Sequence, residues 1–414
     1  MDVISLQNSR VVLPGSIQEL FTISISDGRI VDLSFENSGN PAVSGFDFES
    51  VTVFPGFVDV HIHGAAGIDV NEADVDGLLQ IAAFLAKNGV TSWVPTLVPD
   101  SDAHYQRAID AIDEVMRRQG DMPVAQAVGV HYEGVFASEK MCGALRPQYF
   151  KVVPEALCSR VTRLENHPVG ETPTPLLGKE GSLLGLPRLD RGVHMTTLAP
   201  EVDGGIELIE ELIKQDWIVS IGHTRADAET LDRAFAAGAR HMTHFFNAMT
   251  GVHHRDLGVA GWGLANAGVT FDIIADGIHV HPQMLGVACR TKTPDQVLLI
   301  SDSVAPTGLA DGEYELWGEK ITVTGGRTQN ERGSIAGSVI TMHDAFNRML
   351  SLGFTETEVA KMASANPAKL LGLDDRGLLE IGKRADLVAV DAEGQIKMTM
   401  IGGTVVEHTA PIAN

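Results

Sequence analysis

Apolar and polar positions change their period along the chain, and the changes divide it into three. Residues 1–54 alternate in short runs (VISL, RVVLPG, FTISISDGRIVDLSF, FDFESVTVF) broken by Gly, Asn and Ser. This period-two pattern with turn residues between runs predicts a small all-β unit. After Gly377 the same style returns in GLLEIGKRADLVAVDAEGQIKMTMIGGTVVEH. The two ends, 1–54 and 378–414, are expected to pair into one β-sandwich domain.

Between them, over 55–377, apolar β-branched runs alternate with helical stretches, which predicts an α/β fold of the (β/α)8 TIM-barrel type. Eight strands are expected, at 56–63, 90–97, 124–133, 193–200, 216–223, 240–246, 268–276 and 297–303. Amphipathic segments fill the gaps, among them VDGLLQIAAFLAKNG, SDAHYQRAIDAIDEVMRRQG, GGIELIEELIKQ and DAETLDRAFAAGA, several of them ending at Gly as helices do. Residues 165–192 keep no clear period, and 311–335 reads as a hairpin inserted after strand eight. Both follow strand C-termini, where barrel enzymes carry their substrate loops.

Composition agrees with this frame, since 414 residues exceed the roughly 250 that one barrel needs. Charge narrows the partners: 31 basic against 54 acidic residues leave a net −23. Such a surface repels nucleic acid and anionic lipid, so neither nucleic acid nor membrane is expected as a partner. A small anion would need cations placed against the global field. Cys142, Cys158 and Cys289 are widely spaced and form no C-x-x-C motif, and the first residues carry no basic stretch ahead of an apolar run. A cytoplasmic protein is expected.

Candidate chemistry begins with His61-Ile62-His63 at the end of strand one. Period two puts both imidazoles on one face, as metal ligands or as hydrogen-bonded structural histidines. Other strand ends decide for a metal, because Glu133 ends strand three, His223 strand five and Asp302 strand eight, while His244 lies in strand six. In a barrel these positions surround one cavity. A mixed nitrogen and oxygen set suits Zn2+ first, with Fe2+, Co2+ or Mn2+ open, and one or two ions. Such an ion activates water, so hydrolysis is the reaction class that follows. Asp302, an acceptor when ionised, is the candidate acid/base, or else a cap for the next loop beside Ser301 and Ser303.

Taken together, GFVDVHIHG, HYEG, TLAPE, GHT, HMTHFFNAMTGVHHRDLG, IADGIHV, SDSVAPTG, GSIAGS and NPAKLLG with LLEIGKRADLVAVD resemble the amidohydrolase superfamily. More narrowly they are similar to the N-acetylglucosamine-6-phosphate deacetylase family. The resemblance implies a barrel with a small β domain built from both termini, and removal of acetate from the 2-amino group of a 6-phosphorylated hexosamine. It implies Glu133, His223 and His244 around the main metal, His61 and His63 around a second, and Asp302 as proton shuttle. Asn247 and Ala248 would contact sugar or phosphate. His279 and Arg255 would bind the phosphate, the arginine reaching across a homodimer interface beside His253 and His254. His131, His241 and His281 are expected to be structural.

The chain also departs from the family. Tyr132-Glu133-Gly134-Val135-Phe136 stands where members read LEGPF, and Cys142-Gly143-Ala144-Leu145-Arg146-Pro147 stands where they read KGAHNP. The family's histidine contacts the amide carbonyl, and Leu145 has no donor to replace it. A second metal, Arg146 or another loop residue would take its place, or the acyl group differs. Two further readings stay open: a metallohydrolase of another N-acyl sugar or of an N-acyl-D-amino acid, and a non-catalytic sugar-phosphate binder.

Overall fold

The computed structural model describes residues 3–35, 44–47, 51–154, 157 and 186–407. Most of the aperiodic 165–192 segment, and Cys158, lie outside them. Eight parallel strands build the barrel: β1 (Phe57–Ile62), β2 (Val90–Leu97), β3 (Gly129–Phe136), β4 (Val193–Leu198), β5 (Ile218–Ile221), β6 (His241–Met242), β7 (Thr270–Ile274) and β8 (Val297–Ile300). Each pairs in parallel with the next. The ring closes where the Asp302 amide donates to the His61 carbonyl at 3.0 Å and the His63 amide to that of Ser303 at 2.8 Å. Every residue of β1, β2 and β3 is buried, as expected of parallel strands covered on both faces.

The helices form where periodicity placed them, at Val75–Lys87, Asp102–Arg118, Gly205–Lys214 and Ala228–Ala237. Asp74, Ser101 and Asp227 cap three of their N-termini by accepting a backbone N–H. Trp93, Tyr132, Phe271 and Leu299 from the strands share one apolar cluster with Leu78, Ile81 and Ile109 from the helices. Inside the ring runs a polar chain, with His131 Nε2 to Thr197 Oγ1 at 2.7 Å, Thr197 to Thr243 at 2.6 Å and Ser220 to Thr243 at 2.6 Å. Mutual pairing is what lets these groups stay buried.

Both chain ends contribute to one mixed sheet, ordered 404–405, 396–401, 387–391, 51–55, 4–13, 16–26 and 29–34, with 44–47 paired beside 4–13. The join between the ends is antiparallel, with Val388 opposite Phe54. The sheet folds over on itself, strand 29–34 bonding the segment that leads into 387–391. The Ile30 amide donates to Lys383 O at 2.9 Å and that of Ala385 to Gly28 O at 2.8 Å. Ile30, Ile23, Val53, Leu387 and Met400 are thereby enclosed in one core. One correction concerns the insert after β8, which is a three-stranded antiparallel meander of 312–316, 319–324 and 327–330 and not a hairpin. Gly325-Gly326, both at positive φ, make the second turn.

Candidate metal centre and active site

All six ligand-type side chains meet at the C-terminal rim of the barrel, each at most 6% exposed. Strand ends place them. His63, His223, His244 and Asp302 each follow the last ladder residue of their strand by one or two positions, and Glu133 sits in β3 where the pairing with β4 shifts register. The strands stop there for a physical reason: His223, His244 and Asp302 have φ of 47°, 33° and 48°, incompatible with continued β pairing. A non-glycine residue in this region costs on the order of 1–3 kcal/mol, a strain that collects at functional sites. β6 is accordingly two residues long, shorter than expected, and the His244 amide bonds to Asp272 Oδ1 at 2.5 Å instead of a neighbouring strand.

Glu133 is the hub. Its Oε1 lies 3.0 Å from His223 Nε2, 2.9 Å from His244 Nε2 and 3.5 Å from His61 Nε2, and its Oε2 lies 3.3 Å from His63 Nε2. Asp302 Oδ1 stands 3.4 Å from His61 Nε2 and 3.3 Å from His63 Nε2. Two groups capable of holding a cation share Glu133: His61 with His63, and His223 with His244.

Proton chemistry alone does not satisfy this arrangement. The Nε2 atoms of His61 and His63 are 3.0 Å apart, as are those of His223 and His244, and each pair can share one proton but not two. Bonds of ~2.0–2.1 Å to a tetrahedral cation set its ligands roughly 3.3 Å apart, close to these separations. The outer nitrogens of His63 and His223 are tied to Thr96 O at 3.2 Å and Met141 O at 2.9 Å. That fixes the tautomer which presents Nε2 bare, the usual arrangement of metal-ligating histidines. The donor set therefore fits a binuclear divalent metal site.

Charge on the site points the same way. Burial pushes His61 well below its usual pKa. Burial also opposes a proton on His63 and on His244. The Asp302 and Glu133 carboxylates outweigh it at His63, raising that ring to about 10, and Glu133 does the same at His244, raising it to about 9. Burial alone would raise the Glu133 carboxyl, but the imidazoles around it hold it well below the carboxylate range. Without a cation, the buried negative charge is met by protons on the rings that would bind one.

The cavity over these residues measures about 300 Å3, and Asn247, Ala248, His279, Leu145 and Trp317 join its lining. Asn247 is held by its own Nδ2, which donates to His244 O at 3.1 Å. His279 Nδ1 donates to Asp276 Oδ2 at 2.6 Å, leaving Nε2 for the cavity. Arg255 is not brought there within one chain: it is exposed, with Nη1 at 2.7 Å from His254 Nε2. Arg146 does not line the cavity, and its Nη2 bonds Asp100 Oδ2 at 2.8 Å and Pro99 O at 2.9 Å.

His131, His241 and His281 do not line the cavity and bond Thr197, Asp272 and the Gln283 amide. Periodicity missed Asp272, Asp276, Trp317 and Asp59, which accepts from Ser301 Oγ at 2.5 Å and from the His61 amide at 3.3 Å. The three aspartates have period-two or turn signals only, and Trp317 lies on the insert.

The amidohydrolase family model matches residues 52–406. The chain is 33% identical over 389 residues to N-acetylglucosamine-6-phosphate deacetylase of Bacillus subtilis (strain 168), covering 92% of each. It is 32% identical over 363 residues to N-acetylgalactosamine-6-phosphate deacetylase of Escherichia coli O157:H7, covering 87% of this chain and 89% of that one. Among solved structures, the Mycobacterium smegmatis N-acetyl-D-glucosamine-6-phosphate deacetylase D267A mutant, in complex with N-acetyl-D-glucosamine-6-phosphate, superposes with a TM-score of 0.81 at 27% identity, over 98% of this chain and 99% of that one. Among the described residues no helix is long and apolar enough to cross a membrane. With its barrel, its clustered histidines and these likenesses over nearly its whole length, the chain belongs to the amidohydrolase family, in the branch of the N-acetylhexosamine-6-phosphate deacetylases.

Proposed function

We propose that this protein hydrolyses the acetamide of an N-acetylhexosamine 6-phosphate, releasing acetate and the amino sugar phosphate. The observation that carries the reading is Glu133 between two histidine pairs, with Asp302 beside them. Glu133, His223 and His244 would hold one divalent cation and His61 with His63 a second, Zn2+ being the first candidate for a nitrogen and oxygen set. When bound, such a cation lowers the pKa of water from ~15.7 towards ~7 and polarises a carbonyl oxygen.

The chain's own groups do the rest. Asp302 takes the proton from the attacking water as the new C–O bond forms, then delivers it to the sugar nitrogen as the C–N bond breaks. One water is consumed, acetate leaves, and the amine departs with the proton it needs. His279, oriented by Asp276, and Asn247 would position the sugar phosphate. Arg255 would complete the phosphate site from the partner subunit of a homodimer, which accounts for a guanidinium left exposed in a single chain; its planar fork matches a phosphate.

The barrel is assigned to 55–377 and the β domain to 1–54 with 378–414, the passage between them falling at Pro55 and Phe57. The unpaired Cys142 and Cys289 fit a reducing, cytoplasmic setting. The test is acetate release by metal-loaded protein from the 6-phosphates of N-acetylglucosamine and N-acetylgalactosamine and from the unphosphorylated sugars. Turnover of a phosphorylated sugar is expected, with Arg255→Ala raising KM for it at least tenfold. Absence of turnover on both phosphorylated sugars overturns the reading.

A further inference from the structure

The cavity walls differ across the ring. On the β6–β7 side stand Asn247, Ala248 and His279, whereas the β1–β3 side presents Ala144, Leu145 and Trp317. Leu145 is 3% exposed and packs with Val98 and Ala137, a cluster that Trp317 also touches. Trp317 packs as well against Val304 and Leu316 of a second cluster, so it bridges the two.

Position on the meander does not leave Trp317 loose. Its Nε1 donates to Asp69 Oδ2 at 3.0 Å, and its ring meets that of His63 edge to face with centroids 5.3 Å apart. The indole's one polar atom is thus used, and an apolar ring is held beside a residue of the metal centre.

Leu145 is held as closely. Gly134, next to Glu133, has φ of 65°, and a Cβ there would lie 2.2 Å from Leu145 Cδ1. A glycine at this position lets the leucine pack directly on the backbone beside the central carboxylate. Neither side chain can offer a hydrogen bond to the cavity.

The geometry points to Leu145 and Trp317 as the residues that select the acyl group, forming an apolar subsite for a short alkyl chain. This rests on the deacetylase reading above and deepens it. The reacting carbonyl carbon must lie by Asp302 and Glu133. Its nitrogen leads towards the sugar, on the side of Asn247 and His279. Two substituents of the planar amide diverge from that nitrogen, the oxygen and the acyl carbon; the oxygen needs a donor or a cation, which Leu145 and Trp317 do not offer, so the acyl carbon is the one that faces them. The site discriminates by size and polarity at this wall, admitting acetyl and penalising longer or hydroxylated acyl groups.

The test uses the zinc-loaded full chain with the N-acetyl, N-propionyl, N-butyryl and N-glycolyl forms of glucosamine 6-phosphate and of galactosamine 6-phosphate, following release of the free amine. A wall of this kind discriminates by roughly tenfold or more per methylene and on the order of 100-fold for an added hydroxyl. Wild type is expected to fall in that order from acetyl to butyryl and to disfavour glycolyl. Leu145→Ala and Trp317→Phe are expected to raise the propionyl-to-acetyl ratio of kcat/KM about tenfold at unchanged metal content. A wild type active on the acetyl form with a flat acyl profile refutes the wall alone, as does a ratio within twofold of wild type in a metal-replete variant. A wild type that releases amine from none of the forms of either hexosamine 6-phosphate overturns the wall and the deacetylase reading together. If one variant fails to fold, the other and the wild-type profile still decide.

Discussion

Replacing Asp302 by Asn takes one ionisable oxygen from the site and leaves almost everything else. The backbone bonds that hold the residue, its amide to His61 O at 3.0 Å and its carbonyl from the Ser338 amide at 2.7 Å, do not involve the side chain. Its φ of 48° lies in the left-handed region, which Asn tolerates better than most residues. Neither cation-holding group includes Asp302, so metal content should stay at the wild-type level. What is lost is the acceptor for the water's proton. A positioned acid/base contributes typically 10²–10⁴-fold, or about 2.7–5.4 kcal/mol of barrier. Steady-state acetate release should therefore show kcat down by at least ~100-fold with KM little changed, while metal analysis and thermal melting match wild type. An Asp302→Asn enzyme that keeps more than a tenth of wild-type kcat at equal metal content refutes the proton-transfer role.

Glu133→Gln should behave differently, because the residue's two oxygens face four imidazoles. Metal affinity is expected to fall on the order of 100-fold or more, read by metal analysis after dialysis, and retention of full metal would contradict its place as the hub. The pH dependence follows from His63 and His244, raised to about 10 and about 9 above the ordinary 6.5. The stability those protons contribute to metal-free protein is complete below about pH 6.5 and is lost as pH rises through 9 and 10. Chelator-treated protein should thus melt lower at pH 10 than at pH 6.5, while cation binding, which expels the protons, tightens over the same interval; the opposite trend in melting would show that these rings are not protonated partners of the carboxylates. His241→Ala strips the fully buried Asp272 of the ring 2.9 Å away. It is expected to cost about 3–5 kcal/mol in urea unfolding, and a loss under 1 kcal/mol would mean that Asp272 finds another partner.

Where strands carried long apolar runs, the chain announced them. Val90–Leu97 has the expected limits to the residue, and the capped helices follow their 3.6-residue stripe. Short strands were overestimated, as with β6, because a tertiary contact from Asp272 captures the His244 amide and ends the ladder early. The terminal β unit was legible as strands but not in its curvature. How the sheet closes round its core depends on contacts such as Ile30 to Lys383, some 350 residues apart, which no local period encodes.

The site divides along the same line. His61 and His63 could be paired from the sequence, because period two puts alternate residues on one face of a strand whatever surrounds it. The residue types and the βα alternation likewise determined that Glu133, His223, His244 and Asp302 end up on one rim, since parallel strands in a barrel all finish at the same face. Only the tertiary structure decided that Glu133 stands between two imidazole pairs, that Arg146 is spent on Asp100, and that Trp317 reaches from the insert to His63. These depend on side-chain directions and on loop paths between elements far apart in the chain. Such contacts arise from packing, which sets distances that spacing along the backbone does not carry.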